Sequence, residues 1–357
     1  MTEEEILISM IKPLLSWYDK EKRTLPWRDQ GNAYYTWVSE IMLQQTRVEA
    51  VKPYFLRFMK ELPTIESLAH CPEKKLMKLW EGLGYYNRVR NMQQAALQVV
   101  EEYGGKLPAD YDKLLTLKGI GSYTAGAIAS IAYGVPVPAV DGNVLRVISR
   151  ILESDADILK QSVKSRMEQL LKSVMPKDRP GDYNQALMEL GAVICIPNGM
   201  AKCEACPAGA LCLARAHGRV EELPKKAPKK PRKIQERTVL IIQDGERLAI
   251  RRRPAGGLLA GLYEPPNLSG YLTEEEVLEK VKEMGLVPLR IRPLGDAKHI
   301  FSHIEWRMKG YQVRVEALEQ KKKGKLIFAD PLVSSSQYAI PSAYDAYAKY
   351  WKEKQDS

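Results

Sequence analysis

Apolar residues recur at intervals of three and four along the first part of the chain. The pattern is clearest over residues 35–59, 76–101 and 110–117, and it extends from residue 3 to about residue 215. This spacing places the apolar side chains on one face of an α-helix. The sequence therefore predicts an all-helical domain over residues 1–218.

The pattern changes after a segment rich in proline and lysine. Residues 223–233 read LPKKAPKKPRK, with three prolines, six positive charges and no acidic or aromatic residue. Such a segment is not expected to form a core, so a linker is predicted over residues 219–234. Beyond it, alternation with a period of two predicts a separate α+β domain over residues 235–357. That domain should contain a hairpin turning at Asp244-Gly245, a helix over 273–284, and strands over 304–308 and 311–315.

The charge balance and the absence of export signals limit the possible functions. The chain has 54 Lys and Arg against 44 Asp and Glu, a net charge of +10, which is consistent with a polyanionic partner or with a solvated positive surface. Three glutamates near the N-terminus are unlike a signal peptide. Residues 119–140 carry no charge, but glycines and prolines interrupt them, which favours a buried element over a membrane span. We therefore expect a cytoplasmic protein without a membrane anchor.

Four of the five cysteines lie within 18 residues, whereas Cys71 lies apart and is expected to be a small buried apolar residue. In a chain without an export signal, this clustering favours metal ligation over disulfides. Structural zinc sites usually pair two Cys-x2-Cys knuckles, but here one such pair is flanked by unequal gaps. An iron–sulfur cluster fits that spacing better, and zinc remains the alternative. The candidate ligands are Cys195, Cys203, Cys206 and Cys212.

A short glycine-containing turn connects two predicted helices, over residues 110–117 and 122–133. It reads Lys118-Gly119-Ile120-Gly121. The glycines Gly119 and Gly121 allow a sharp turn whose backbone N–H groups face outward, where a phosphate could accept their hydrogen bonds. Such contacts bind a nucleic-acid backbone without reading its bases. A purely structural turn is the alternative.

Two carboxylates lie in apolar surroundings. Glu40 belongs to a helix that carries several large apolar residues, so desolvation should favour its protonated form, which a proton donor near neutral pH requires. Asp141 follows the apolar segment VPVPAV and precedes a predicted helix. A helix cap is the structural alternative for Asp141, and an exposed helix face is the alternative for Glu40. If both face one cleft, they resemble the acid and the stabilising carboxylate of a glycosidic-bond hydrolase.

Several longer motifs occur in a fixed order. They are LPWR, WVSEIMLQQTRV, GLGYYNRVRN, LKGIGSYTAGAIASIAYG, VDGNVLRV and NQALMELGAVIC, followed by the cysteine set. Together they resemble the helix-hairpin-helix DNA glycosylase superfamily and, within it, the adenine DNA glycosylase (MutY) family. The resemblance extends over nearly the whole chain.

The resemblance implies a multidomain fold. It consists of an all-α helix-hairpin-helix glycosylase domain with a 4Fe-4S cluster loop, and an α+β Nudix-like C-terminal domain. The cluster would be held by the four clustered cysteines, although the first gap of seven residues, where the family usually has six, should make the loop over residues 196–202 bulge.

The resemblance also implies a substrate and a reaction. The expected partner is double-stranded DNA with adenine opposite 8-oxoguanine or guanine, bound by a monomer. The related endonuclease III type has in its hairpin a lysine that attacks the sugar, whereas this chain has Tyr123. A monofunctional glycosylase is therefore expected. An endonuclease III-like glycosylase/lyase, a non-catalytic iron–sulfur DNA-binding protein and a zinc-stabilised adaptor are the alternatives.

Residue roles follow from the same motifs. Glu40 would protonate adenine at N7, and Asp141 would stabilise the sugar cation, covalently in a retaining route. Other matching positions would shape the site, line the adenine pocket, or fill the gap left by the rotated base or wedge against the partner base. They are Tyr123 and Asn143 for the first role, Arg28 and Gln185 for the second, and Gln45, Thr46 and Tyr85 for the third.

The C-terminal domain resembles the Nudix fold. Residues 261–265 match part of the Nudix box, but the helix EEEVLEKVKEMG lacks its metal-binding core, so binding without hydrolysis is expected. Phe301, Ser302 and His303 match the family loop that reads 8-oxoguanine, with Ser302 as the candidate for a direct hydrogen bond. Apart from the family, His303 would be interpreted as a partly buried residue at a strand end.

Overall fold

The computed structural model describes residues 1–28, 31–228, 231–318 and 322–350. Its contacts divide the chain into two units, Met1–His70 with Arg90–Pro228 and Cys71–Val89 with Lys229–Ser357. We call the first the helical unit and the second the sheet unit. Residues 71–89, which the sequence assigns to the N-terminal domain, group with the sheet unit. The predicted boundaries at residues 218 and 234 lie on either side of the division after Pro228.

The described residues up to 216 form helices, as their apolar spacing predicts. A π-helical turn, Ile128–Ala132, continues α8 where the sequence predicts one regular helix. The helices are α1 Glu3–Glu21, α2 Ala33–Leu43, α3 Val48–Glu61, α4 Ile65–Ala69, α5 Glu73–Leu79, α6 Asn87–Tyr103, α7 Tyr111–Thr116, α8 Ser122–Ala127, α9 Gly142–Ile151, α10 Gln161–Ser173, α11 Pro180–Val193 and α12 Leu213–Ala216.

The core of the helical unit forms around α11, which packs against α1 and α9. From α1 it takes Leu7 and Met10, and from α9 it takes Val144 and Ile148, all of them buried. Because α9 is held by this core from its first turn, the residue before it, Asp141, has a fixed position. In the described part of the chain, no helix has the length and hydrophobicity that a bilayer crossing requires.

The sheet unit is built on a mixed sheet with strand order β5-β6-β1-β2-β8-β7, in which β3 pairs with β2 and β4 pairs with β1. The neighbours β1 and β6 are parallel. The elements are β1 Lys233–Asp244, β2 Arg247–Arg252, β3 Tyr263–Glu264, β4 Asn267–Ser269, α13 Glu274–Glu283, β5 Pro288–Ile300, β6 Ile304–Val315, β7 Lys322–Lys323, β8 Leu326–Ala329 and α14 Pro331–Gln337, followed by a 3-10 segment, Ser342–Tyr350.

The predicted hairpin is confirmed, with its turn one residue further along. Asp244 is still paired with Arg247, so the two turn residues are Gly245 and Glu246. Gly245 has a φ of +58°, which glycine adopts without strain. The Asp244 carboxylate accepts a hydrogen bond from Arg247 and so ends the strand.

The two predicted strands 304–308 and 311–315 are one continuous strand, β6. Gly310 lies in its middle and pairs with Val239 of β1. A Cβ atom at this position would lie 2.5 Å from the ring of Tyr347, so the glycine permits a close approach here instead of making a turn.

Each face of the sheet carries a hydrophobic core. One contains Trp306 and Met308 with Tyr344 of the 3-10 segment. The other contains Tyr311 and Val313 with two residues of α13. Successive residues of β6 therefore point to opposite faces, as the period-two pattern predicts.

Part of the predicted linker is anchored to the helical unit. Leu223 is 2% exposed, and its carbonyl accepts a hydrogen bond from Arg150 Nε at 2.9 Å. The Lys225 carbonyl accepts one from the Ile158 N–H at 3.2 Å. The expectation that this segment contributes nothing to a core is therefore wrong at Leu223, because one apolar residue and two backbone carbonyls find partners that composition does not reveal.

Candidate active site

A single cleft in the helical unit brings together eight of the residues that the sequence singles out. It encloses about 1180 Å³, which is more than most small-molecule pockets, at roughly 300–1,000 Å³, so a nucleotide could enter. The eight residues come from separate parts of the chain. They are Arg28, Glu40, Gln45, Thr46, Tyr123, Asp141, Asn143 and Gln185.

Glu40 lies on α2 and is 7% exposed. Burial raises the pKa of this carboxyl to about 7, with Asp141 contributing in the same direction. The hydrogen bond from Tyr123 and the charge of Arg28 oppose the shift but do not cancel it. Glu40 can therefore hold a proton near neutral pH, as its apolar sequence neighbours predict.

The Tyr123 hydroxyl donates a hydrogen bond to Glu40 Oε2. Burial and the nearby Glu40 raise the pKa of Tyr123 well above its ordinary value, so the phenol keeps its proton and remains a donor. Since Oε2 accepts this bond, Oε1 is the oxygen left to carry the carboxyl proton. Tyr123 thus orients the carboxyl group.

Asp141 both caps α9 and faces the cleft. Its Oδ1 accepts the Val144 N–H at 2.8 Å, and its Oδ2 accepts Asn143 Nδ2 at 2.8 Å. Burial raises the pKa of Asp141, while these hydrogen bonds and Arg146 act in the opposite direction. Asp141 is thus the helix cap that the structural alternative predicts, and the cap fixes where its carboxylate lies in the cleft.

A third carboxylate in the cleft was missed by sequence reasoning. Glu189 on α11 has a fully buried side chain and pairs with Arg23 and Arg28, each at 2.5 Å. Burial alone would raise the pKa of Glu189, but the hydrogen bonds from the two arginines outweigh it and lower the pKa. Its position four residues after Gln185, on the same helix face, was the available signal.

Two candidate gap-filling residues share an uncommon backbone conformation. Gln45 follows α2 with a φ of +60°, and Tyr85 has a φ of +46°. Both side chains are exposed. Non-glycine residues adopt this region rarely, and Glu153 and Leu259 are the other examples among the described residues. Gln45 lines the cleft with Thr46, whereas Tyr85 belongs to the sheet unit.

The turn between α7 and α8 has the predicted form. Gly119 has a φ of +78°, and a Cβ atom there would lie 2.7 Å from Asn91 Cβ, so the position requires glycine. Gly121 has ordinary dihedral angles and open space around it. Ile120 is buried and anchors the turn, while Lys118 and both glycines are exposed. The backbone between the helices therefore faces solvent.

The four clustered cysteines line one cavity. All four belong to the described chain, and none forms a disulfide. Within residues 1–28, 31–228, 231–318 and 322–350, no three His, Cys, Asp or Glu side chains are arranged to hold a metal ion. A hydrogen bond from the Lys202 N–H to the Ile194 carbonyl, at 3.0 Å, closes the loop over residues 196–202. Met200 in this loop is 82% exposed.

Arg146 connects this cysteine loop with the cleft. Its Nε donates to the Cys195 carbonyl at 2.8 Å, and its Nη2 donates to Asn143 Oδ1 at 2.9 Å. Asn143 in turn donates to Asp141. A continuous set of hydrogen bonds therefore leads from the first cysteine to the capping carboxylate. Sequence reasoning did not identify Arg146, which is 5% exposed.

In the sheet unit, Phe301, Ser302 and His303 occupy the turn between β5 and β6. Phe301 is half-buried and contacts the ring of Trp306, with ring centroids 4.9 Å apart. Ser302 and His303 are exposed, so the partly buried interpretation of His303 is wrong. The Ser302 and Tyr85 hydroxyls are hydrogen-bonded at 2.9 Å. The turn thus exposes a serine and a histidine next to the packed rings of Phe301 and Trp306.

Comparison with known families and proteins gives concordant results. Residues 38–173 match the family described as HhH-GPD superfamily base excision DNA repair protein, and residues 237–350 match the NUDIX domain. The chain is 37% identical to the adenine DNA glycosylase of Homo sapiens, over 86% of this chain and 66% of the human protein. It is 32% identical to that of Buchnera aphidicola subsp. Baizongia pistaciae, over 82% of each chain. For the Rattus norvegicus protein, the identity is 36% over 85% of this chain and 70% of the relative.

Solved structures support the fold of the helical part. A thermostable thymine-DNA glycosylase superimposes with a TM-score of 0.53 at 26% identity, covering 60% of this chain and 97% of that chain. A non-covalent endonuclease III–DNA complex gives a TM-score of 0.52 at 24% identity, covering 61% and 98%. The predicted combination of a helical glycosylase domain and a Nudix-like domain is confirmed. This chain belongs to the adenine DNA glycosylase family of base-excision repair enzymes.

Proposed function

We propose that this protein hydrolyses the N-glycosidic bond of adenine paired with 8-oxoguanine, and with guanine, in duplex DNA. The observation that carries the proposal is the pairing of a protonatable Glu40 with a capped Asp141 in one cleft. Rotating the adenine out of the duplex costs a few kcal/mol and is easiest at a mispair. The cleft is large enough for the rotated nucleotide.

Glu40 acts as the general acid. Its proton passes to N7 of adenine while the bond between C1′ and N9 breaks, and the electron pair of that bond leaves with the base. General acid catalysis of this kind contributes roughly 10²–10⁴-fold in rate. The Tyr123 hydrogen bond to Oε2 leaves Oε1 free to deliver the proton.

Asp141 stabilises the oxocarbenium character that develops on the sugar. Its carboxylate is held by Val144 and Asn143, so it is preorganised and needs no rearrangement as the charge forms. In the retaining form of the reaction, one Asp141 oxygen bonds C1′. Water later attacks C1′ and displaces that oxygen, and the proton of the water passes to the Glu40 carboxylate, which restores the acid. The products are free adenine and an abasic site, and one water is consumed.

Arg28 and Gln185 line the part of the cleft that receives the base. Glu189 forms an ion pair with Arg28, which fixes the direction of the guanidinium. The donors of Arg28 and the amide of Gln185 are suited to the polar edge of a purine. Gln45 and Thr46, which line this cleft, would occupy the space that the rotated base vacates. Tyr85, in the sheet unit, would wedge against the partner base.

Strand cleavage is not part of the proposed reaction. A lyase needs an amine that attacks the sugar and forms a Schiff base. At the hairpin position of the lyase lysine this chain has Tyr123, whose hydroxyl is bonded to Glu40. Abasic product should therefore accumulate with its strand intact.

In the sheet unit, the turn with Phe301, Ser302 and His303 would contact the 8-oxoguanine. Ser302 and His303 are exposed and carry hydrogen-bonding groups. The Tyr85 hydroxyl already bonds Ser302, so a lesion base at this position would compete for that bond.

We propose that the four clustered cysteines hold an iron–sulfur cluster. Cys195, Cys203, Cys206 and Cys212 supply four thiols around one space, and Arg150 Nη1 donates to Cys195 Sγ at 3.3 Å. Such a donor stabilises a negatively charged sulfur ligand. A bound 4Fe-4S cluster would cross-link the loop of the helical unit. The turn containing Gly119 and Gly121 would bind DNA phosphates through its exposed N–H groups.

The test is single-turnover adenine release from duplexes that carry 8-oxoguanine, guanine or thymine opposite adenine. We expect release from the first two and nicking only after alkali treatment. Nicking without alkali, with an adduct trapped by borohydride, would instead identify a glycosylase/lyase. Undetectable release from all three duplexes would favour a non-catalytic DNA-binding protein. Metal analysis with absorbance near 400 nm distinguishes iron–sulfide from zinc.

A further inference from the structure

Three arginines of the sheet unit surround one small cavity away from the turn at residues 301–303. Arg290 and Arg292 lie on β5, Arg314 lies on β6, and Gln312 completes the lining. In the strand register, Arg290 is opposite Arg314 and Arg292 is opposite Gln312. We call Arg290, Arg292 and Arg314 the arginine cluster.

The pleat of the two strands explains why these side chains converge. Ile291 and Val313, which alternate with them, are opposite each other and pack in the core that contains α13. The residues on either side of them must then project from the other face of the sheet. Gln312 is held there by a hydrogen bond from its Nε2 to Gln243 Oε1 of β1. The cluster is therefore a consequence of register between paired strands.

Several other arginines of the same unit form ion pairs. Arg251 and Arg253 pair with Glu264, Arg252 pairs with Glu73, and Arg307 pairs with Glu305. Within the part of the chain that the structure describes, no carboxylate lies within 4.0 Å of an Arg290, Arg292 or Arg314 guanidinium nitrogen.

This arrangement has an energetic cost. Directly opposed side chains on neighbouring antiparallel strands have Cβ atoms about 4.5–5.5 Å apart, and like charges at that distance are destabilising. Arg290 and Arg314 are such a pair. The cost would be relieved if an anion bound between them. An anion held by several guanidinium groups is most often a carboxylate or a phosphate, which arginine binds with two parallel hydrogen bonds.

The composition of the lining indicates which anion fits. Three arginines and one glutamine line the cavity, and in the described structure no aromatic ring is among them. A nucleobase would need an apolar or aromatic wall to stack on. The cavity is therefore suited to an anionic group without a stacked base. In a protein that acts on DNA, the abundant anion of this kind is the backbone phosphate.

Edge protection is the simpler explanation of charge on β5, since this strand is at the edge of the sheet and contains Pro288 and Pro293. It accounts for charged residues on β5 itself. It does not account for Arg314, which lies on β6 between two partners, nor for the convergence of all three side chains on one cavity.

We propose that the arginine cluster binds a backbone phosphate of duplex DNA, as an anchor on the sheet unit separate from the hairpin of the helical unit. This inference rests on the proposed function in that the ligand is the same DNA. Its chemistry is recognition of phosphate without reading of bases.

The test uses the full chain and the double variant Arg290→Gln/Arg314→Gln. Binding of an 8-oxoguanine:adenine duplex is measured between 50 and 200 mM salt. Each lost phosphate contact should reduce the slope of log K against log salt by about 0.9. When the salt is raised fourfold, the affinity of the wild type should therefore fall by a factor that is about 3.5 times larger than for the variant, for each lost contact. Single-turnover adenine release at saturating protein should be unchanged.

A matched control is Lys280→Gln/Lys282→Gln on α13, which removes the same charge from the same unit. We expect this control to keep the wild-type slope. Because Arg290 and Arg314 repel each other, their double variant should unfold at the same temperature as the wild type or higher, so a folding failure is not expected.

Two results would overturn the proposal. If the arginine double variant keeps the wild-type slope of log K against log salt, edge protection remains the explanation, whether or not the variant aggregates. The same slope, together with inorganic pyrophosphate binding that the wild type shows and the variant lacks, would assign the site to a free phosphorylated ligand. If no duplex released adenine but the slope still changed, the proposed reaction would be wrong while the phosphate site would stand.

Discussion

Two buried carboxyl groups that line the same cleft have opposite pKa shifts. Glu40 on α2 is 7% exposed and has a tyrosine as its hydrogen-bond donor, and burial raises its pKa to about 7. Glu189 on α11 is fully buried and accepts hydrogen bonds from two arginines, which lower its pKa. Both carboxyl groups are buried, so their hydrogen-bond partners decide which one carries a proton.

The difference separates two tasks. A carboxyl that keeps its proton near neutral pH can donate it, whereas an ionised one can hold a guanidinium in place. We assign proton donation to Glu40 and the positioning of Arg28 to Glu189. Substitutions of the two residues should therefore have different effects.

The largest effect is expected from Glu40→Gln, which keeps the shape of the side chain but removes the transferable proton. Single-turnover adenine release should fall about 10²–10⁴-fold. Duplex affinity should stay near the wild-type value. Glu189→Gln serves as the comparison, because it removes a buried carboxylate without removing the proton donor. A Glu40→Gln rate within threefold of the wild type would remove Glu40 from the acid role.

Glu189→Gln should instead cost stability. It leaves Arg28, whose side chain is 8% exposed, without its anionic partner. Breaking a buried ion pair from one side typically costs about 3–5 kcal/mol. Urea unfolding at pH 7 measures the loss, and Asp19→Asn, which breaks an exposed pair with Arg179, should cost much less. Equal losses of unfolding free energy in the two variants would show that the Glu189 ion pair stabilises no more than an exposed one.

The stability contribution of Glu40 should depend on pH in a defined direction. Its folded pKa of about 7 lies above the ordinary value of 4.5, so the folded state binds the proton more tightly than the unfolded state. This contribution is complete below pH 4.5 and is lost as the pH rises through 7. Relative to Glu40→Gln, the wild type should lose up to about 3 kcal/mol across that window. A difference between the two proteins that does not change with pH would contradict the raised pKa.

The smallest effect is expected from Tyr123→Phe. The phenol hydrogen bond lowers the pKa of Glu40, so its removal should raise that pKa further. One hydrogen bond is worth about 1 kcal/mol, which corresponds to less than about one pH unit. The alkaline limb of the pH–rate profile should move upward by that amount. A shift to lower pH would show that Tyr123 favours the protonated form instead.

Local sequence patterns predicted the residues whose surroundings are local. Glu40 was identifiable because its helix supplies apolar neighbours, and Asp141 because an apolar segment and a helix start flank it. Gly119 was identifiable because a turn between two helices needs a positive φ. The sequence signals at these positions come from residues within a few places along the chain, although the space at Gly119 is limited by the distant Asn91.

Features that depend on distant pairing were not predictable in this way. Glu189 meets Arg23 across 166 residues, and the arginine cluster arises only when β5 and β6 take their register. The parallel pairing of β1 with β6 also extends β1 back to Lys233, inside the predicted linker. Periodicity specifies the face of a strand but not its neighbour, so the sheet order and the ion-pair partners required the structure.

In the proposed reaction Glu40 is the proton donor, and its pKa is about 7. The most direct test is the pH dependence of kcat/KM for adenine release from an 8-oxoguanine:adenine duplex between pH 5 and 9, because kcat/KM reports the groups of the free enzyme. We expect a rate that falls about tenfold per pH unit above pH 7. A rate that stays constant up to pH 9, or that already declines from about pH 4.5, would contradict it.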